Sequence, residues 1–284
     1  MTIVLDTPYR STRGRKPSRP AFLFDFHNHT AGGTSVTDRF GNAAALTLQG
    51  TLGAAWTASP GWWRPGGTDT QAVTGTTDEY AAQSVIAPAL LTPGAGLIVA
   101  ARFGWAGTKN TATEVFLLCG RSGATPAVAF GLNNAGVINT QYRGSGASGL
   151  SGAAYGVAGD YSATADISVL WHVTATATGL QTLVWKDGVR IGSLATFEWS
   201  ANGGSMPTLA QFAMPDGITI GALRGGAQGS PTWSQRIGAS NSGGGRLANV
   251  LALNQASANA TDAAALALEL HQYPRHVGEI LGAM

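Results

Sequence analysis

The sequence predicts an antiparallel all-β sandwich with an extended N-terminal arm and one short C-terminal helix. Three observations lead there. Two extended runs, 180–186 and 189–194, flank Asp187-Gly188, and an Asp-Gly pair between β-rich runs is the strongest short-range hairpin signal, because a type I′ turn needs φ > 0 at both centre positions. Ile167, Val169, Trp171 and Val173 alternate with Ser168, His172 and Thr174, which is the period-2 pattern of a strand. Many such runs follow one another with a single helical pattern at the end, so βαβ alternation and a parallel sheet are excluded.

Taken in order, residues 1–21 read as an arm. Ile3, Val4 and Leu5 can add one short strand to a partner, and the following TPYRSTRGRKPSRP has too little apolar content to pack alone. Pro8, Pro17 and Pro20 keep it extended. Arg10, Arg13, Arg15, Lys16 and Arg19 stand against Asp6 alone, so the arm is basic and is expected to lie on a partner surface. The sandwich starts at residue 22. There Phe22, Phe24 and Phe26 alternate with Asp25 and His27 as in a half-buried strand.

Residues 36–42 read as a strand end and turn, 45–49 as a strand, and the Trp-, Pro-, Gly- and Thr-rich stretch 50–77 as loops and short edge strands. Core strands then recur: Leu97, Val99, Ala101 and Phe103 share a face, 115–119 follows, and Val128, Phe130 and Leu132 lead through a turn at 133–136 into 138–143. Residues 144–154 are expected to form a surface loop. Trp171, Trp185 and Trp199 are assigned to the core. After the hairpin come a short strand at 218–221, a Gly/Ser-rich loop to 245 and a strand at 247–253. Thr261-Asp262 is expected to cap a helix over AAALALELHQ, stopped by Pro274. The segment 275–284, apolar at Val277, Ile280 and Leu281, is expected to fold back on the sandwich or join an interface.

Composition narrows the function classes. Only 11% of the 284 residues are charged and 40 are glycine, against about 25% charged in typical soluble domains; such a neutral, turn-dense surface suits packing against neighbours. A net charge of +2 makes no general case for nucleic acid or acidic membranes. Cys119 is the one cysteine, which excludes an intrachain disulfide, and its VFLLCG context reads as a buried structural thiol. No apolar core follows the N-terminal cations as in a signal peptide, and no run approaches the roughly 18 apolar residues of a membrane span. Neither secretion by a cleaved signal nor insertion in a bilayer is expected.

FDFHNHTAGGTSVTDRFGNAAALTLQG, WHVTATATGLQTLVWKDGVRIG, ITIGA and the closing GGGRLANVLALNQASANATDAAALALELHQYP together resemble the concanavalin A-like lectin/glucanase jelly roll. More narrowly, they resemble its LamG-like versions in bacteriophage virion proteins. The resemblance covers residues 22–275 and implies a two-sheet jelly-roll sandwich, with the Asp187-Gly188 hairpin in the middle of a curved sheet. Endoglucanases of that fold carry Glu-x-Asp-x-x-Glu on one strand, which places an acid/base and a nucleophile on one side of the sugar. That string is absent here, so no catalytic residue is nominated and an enzyme is not expected.

Asp25, His27 and His29 have the spacing to share a strand face, but three strand-edge polar residues without a fourth ligand make a weak zinc site, and no metal or cofactor is predicted. Sugar binding needs aromatic faces beside hydrogen-bonding groups, and Trp62, Trp63, Trp105, Tyr155 and Trp233, all in loop-like contexts, are the candidates. The leading expectation is a non-enzymatic bacteriophage virion structural protein, either capsid-decorating, minor capsid or tail-associated. It would be made in the host cytoplasm and docked through its arm on other virion proteins in many copies. The alternative is a carbohydrate-binding receptor-recognition module of the virion.

Overall fold

The computed structural model describes residues 19–26, 35–48, 73–75, 81–105, 115–120, 127–133, 135–156, 166–211, 218–221, 223–227, 230–234, 245–273 and 277. In chain order the first strands are β1 Ala21–Asp25, β2 Ser35–Val36, β3 Leu46–Leu48, β4 Val73–Gly75, β5 Gly96–Trp105, β6 Val115–Gly120, β7 Ala127–Leu132 and β8 Ile138–Arg143. They continue with β9 Ser151–Tyr155, β10 Ile167–Ala175, β11 Gly179–Lys186, β12 Val189–Glu198, β13 Thr219–Ile220, β14 Leu223–Ala227, β15 Ser230–Ser234 and β16 Gly245–Gln255. Helices are α1 Ala87–Leu91, entered through a π-helical turn at Ala81–Ile86, and α2 Ala260–Gln272.

The strands form an antiparallel β-sandwich. One sheet has six strands in the order β1-β16-β5-β10-β11-β12, the other eight in the order β2-β3-β4-β13-β6-β7-β8-β9, and β14-β15 make a separate ribbon. The Asp187-Gly188 hairpin forms, with Asp187 at φ 50° and Gly188 at φ 79° joining β11 to β12. It lies at the edge of the six-stranded sheet and not in its middle, because among the described strands β12 pairs with β11 alone. Between the sheets lies the main core, in which Phe22, Phe24, Val99, Phe103, Phe130, Trp171 and Trp199 are buried. Each such side chain contributes about 1.5–3 kcal/mol relative to exposure.

A third layer corrects the half-buried reading of β1. The face of the six-stranded sheet opposite the main core is also apolar, and Leu23, Ile98, Leu170, Trp185 and Leu251 pack there against Ala263, Leu266 and Leu270 of α2. Strands β1 and β10 are therefore covered on both faces. Trp171, Trp185 and Trp199 are all buried, Trp185 in the helix-covered layer and the other two between the sheets. Val277 packs into the same helix-covered layer, as the fold-back of the C-terminal segment requires; Ile280 and Leu281 lie outside the described residues.

Four local expectations change. The cap of α2 is Asn259, whose Oδ1 accepts from the Thr261 and Asp262 N–H groups, so the helix begins earlier than Thr261-Asp262 implied. Residues 81–91 are helical although their apolar run lacks a polar face; Val85, Ile86, Ala89 and Leu90 are all buried, and Pro88 sits in the first turn, where its missing N–H is harmless. The Gly/Ser-rich stretch before residue 245 contains the β14-β15 hairpin. Part of the expected surface loop 144–154 is the edge strand β9, paired with β8 from Ile138↔Tyr155 to Tyr142↔Ser151.

Asp38, not singled out in the sequence, ties the first turn to β1. Its Oδ1 accepts from Leu23 N–H at 2.8 Å and Phe40 N–H at 3.0 Å, and its Oδ2 from Asn42 N–H at 2.7 Å and Ala43 N–H at 2.8 Å.

Candidate functional site

Strand β8 reads Ile-Asn-Thr-Gln-Tyr-Arg, and the period of two sorts it cleanly. Ile138 and Tyr142 join the core between the sheets, so Asn139, Gln141 and Arg143 belong to the opposite face of the eight-stranded sheet. Their cross-strand neighbours are small on both sides. On β7, Gly131 pairs with Asn139, Ala129 with Gln141 and Ala127 with Arg143; on β9, Ala154 pairs with Asn139 and Gly152 with Gln141.

The result is a row of polar side chains flanked by small residues. A groove of about 310 Å³ runs along β8 and β9, lined by Asn133, Asn139, Gln141, Leu150, Gly152 and Ala154 among others. Gly152 keeps the edge strand tight against β8, since a Cβ there would come within 2.2 Å of the Thr140 carbonyl oxygen. Asn133 is held by its own turn, its Oδ1 accepting from Val137 N–H at 2.9 Å. Arg143 is fixed at the end of the row, donating from Nε at 3.0 Å and Nη2 at 2.7 Å to the Ala147 carbonyl. Asn139 is 6% exposed, and among the described residues its Oδ1 has no hydrogen-bond partner. Buried acceptors of this kind are rare in folded proteins.

On the inner side of β9 the chemistry differs. Tyr142 and Thr182 hydroxyls lie 2.7 Å apart, and those of Thr140 and Tyr155 3.3 Å apart. Burial holds both phenols above the ordinary tyrosine pKa, so they are neutral hydroxyl donors. Tyr155 thus differs from its expected loop setting: it ends β9, is buried, and lines a cavity between the sheets.

Of the other sequence candidates, Trp105 is the last residue of β5 and Trp233 lies within β15, on strands where loops were expected, and Trp62 and Trp63 lie outside the described residues. Ile3, Val4, Leu5, Arg10, Arg13, Arg15 and Lys16 also lie outside them, while Arg19 is exposed two residues before β1. His27 and His29 fall outside as well. Asp25 accepts from Arg39 Nη1 at 2.7 Å, and among the described residues no three His, Cys, Asp or Glu side chains cluster to hold a metal ion.

No protein-family model matches the sequence, and no curated protein matches it. Solved structures do align. A chain from a structure of botulinum neurotoxin type C, described by cell entry dependent on two ganglioside molecules, superposes at 8% identity over 88% of this chain and 51% of that chain with a TM-score of 0.52. The botulinum neurotoxin serotype D binding domain does so at 7% identity over 89% of this chain and 50% of that chain, TM-score 0.51. The CBM40 module of Ruminococcus gnavus IT-sialidase bound to α2,3-sialyllactose aligns at 14% identity over 72% of this chain and 96% of that one, TM-score 0.45. This chain spans about half the length of the two neurotoxin chains. At these identities the likeness to the two neurotoxin chains establishes the β-sandwich fold alone.

Proposed function

We propose that the protein is a non-enzymatic, glycan-binding recognition module whose site is the groove along β8 and β9. The unpartnered Oδ1 of buried Asn139 carries the proposal. A buried acceptor left unsatisfied costs about 1–3 kcal/mol, and a ligand hydroxyl removes that cost. Carboxamides offer donors and an acceptor together, which matches the paired hydroxyls of a sugar. The glycine and alanine neighbours leave room for a ring to approach the sheet.

The fold is one that a neurotoxin binding domain also uses, which agrees with the proposal; the groove chemistry is what assigns a ligand. Glycan-array screening followed by calorimetry tests it. Asn139→Ala and Gln141→Ala are expected to weaken binding at least tenfold while the chain stays folded, as read by circular dichroism. A flat array overturns the proposal, and loss of binding in Trp62→Ala or Trp233→Ala with retention in Asn139→Ala moves the site to those aromatic positions.

The setting is proposed from the sequence resemblance: a bacteriophage virion, with residues 1–21 as the arm that docks the module on other virion proteins. Removing residues 1–20 is expected to leave the sandwich folded and to abolish incorporation into particles. Retention of the truncated protein on particles refutes the docking arm.

A further inference from the structure

We propose that the cavity between the edge strands β9 and β12 is a second ligand site, independent of the groove, for a small neutral molecule with an apolar body and a hydrogen-bond acceptor. The cavity measures about 260 Å³. It lies where the last strand of the eight-stranded sheet faces the last strand of the six-stranded one. It shares backbone of β9 with the groove but draws its side chains from the inner faces of both sheets.

The chemistry of its lining is divided. Phe197 and Tyr142, with ring centroids 5.2 Å apart, supply apolar surface, and Ala153, Ala195 and Ala201 supply no bulk to fill the space. At the inner end stand the hydroxyls of Thr140, Tyr142, Tyr155 and Thr182, on side chains that are all at most 2% exposed. Each hydroxyl carries one donor proton. The four form one network: Tyr142 and Thr182 lie 2.7 Å apart, Thr140 and Tyr155 3.3 Å apart, and each threonine hydroxyl also interacts with the other phenol. Hydroxyls rotate to donate or accept, so this network can turn a proton toward an acceptor oxygen that enters the cavity, and an alcohol, ether or carbonyl provides one.

Charge and size set the remaining limits. Among the described lining residues Glu198, exposed, is the one carboxylate and none is a cation, so an anion meets repulsion on entry and no opposite charge from these residues. Burying an unpaired charge against neutral hydroxyls is costly whatever its sign. A dry cavity of about 150 Å³ holds benzene, so this one has room for a substituted six-membered ring. Beside it, β12 bulges: Thr182 pairs with Ala195 and Val184 with Ile191, leaving Gly192, Ser193 and Leu194 opposite Leu183 alone. Gly192, at φ 66°, passes over the Tyr155 ring at this bulge.

The full chain, titrated with benzyl alcohol, benzylamine and benzoate by ligand-observed NMR and thermal shift, tests the assignment. Benzyl alcohol is expected to bind and raise the melting temperature, with benzylamine and benzoate at least fivefold weaker. Ala195→Leu fills the space and should abolish binding. Should that variant not fold, Tyr155→Phe removes a donor with little change of shape and should weaken benzyl alcohol at least threefold. No binding of benzyl alcohol overturns the site, as does equal binding by the Ala195→Leu or Tyr155→Phe protein. Preference for benzylamine or benzoate overturns the neutral ligand class.

Discussion

His172 lies on β10 with its ring tilted against Trp185 at a centroid distance of 6.4 Å, in a position so enclosed that a Cβ at Gly96 would stand 3.3 Å from its Nε2. Burial pushes its pKa below the ordinary 6.5, against a smaller opposing contribution from Gln255. Above that ordinary value the ring is neutral in both folded and unfolded chains and contributes no pH dependence. As pH falls below about 6.5, the unfolded chain takes up a proton that the folded one refuses, and stability declines until the lowered folded pKa is reached. Urea unfolding between pH 7 and pH 5 should show this decline, and His172→Gln should flatten it relative to the native chain. Equal slopes for the two proteins would show that burial of this imidazole does not govern acid stability. At the same scale, Asn139 holds a buried acceptor without a donor among the described residues, and Tyr155 belongs to a network of four buried hydroxyls.

Strand β9 is the element on which both proposed sites depend. Its composition, Ser-Gly-Ala-Ala-Tyr, has little β propensity, and small residues in this stretch read more readily as loop than as strand. Pairing with β8 and the burial of Tyr155 overcome that preference. Small side chains are what the element supplies: a wider strand would close the groove on one side and the cavity on the other. Gly152→Val should be expensive because the clash is with the Thr140 carbonyl, which cannot rotate away. A loss near the upper end of about 1–3 kcal/mol is expected from overpacking. Glycan binding and benzyl alcohol binding should fall together in that variant, whereas Asn139→Ala affects the groove by design. The helix-covered layer works differently. Asn259 starts α2 and His271 stands 3.5 Å from Asp187 at its other end, a half-exposed contact worth little, so apolar packing of Leu266 and Leu270 fixes the helix in place.

The whole molecule is three layers deep, with α2, the six-stranded sheet and the eight-stranded sheet stacked in that order. Ending the chain after residue 259 would uncover Leu23, Ile98, Leu170, Trp185, Leu251 and Leu253 together. A contiguous apolar face of that kind drives association. The truncated protein is expected to bind the dye ANS and to aggregate on concentration, as measured by fluorescence and light scattering. A monomeric, dye-negative product would mean that the sandwich does not need its helix. The proposed sites lie away from this layer, on β8, β9 and β12, so one end of the sheet stack is closed by the helix while the edge-strand side presents openings.

How much of this was legible from residue order follows the range of the forces involved. The Asp187-Gly188 hairpin, the alternation of β10, the turn into β8 and the tryptophans as core depend on local backbone geometry and side-chain period, so residue order was enough to specify them. The polar face of β8 was equally readable as Asn139, Gln141 and Arg143 at alternate positions. What it did not reveal was that glycine and alanine stand beside each of them, because cross-strand neighbours are distant in the chain. Burial of β1 on both faces, the strand identity of β9 and the four-hydroxyl cluster were likewise decided by tertiary structure. Each arises where residues far apart in sequence meet, and there desolvation and hydrogen-bond balance outweigh local propensity.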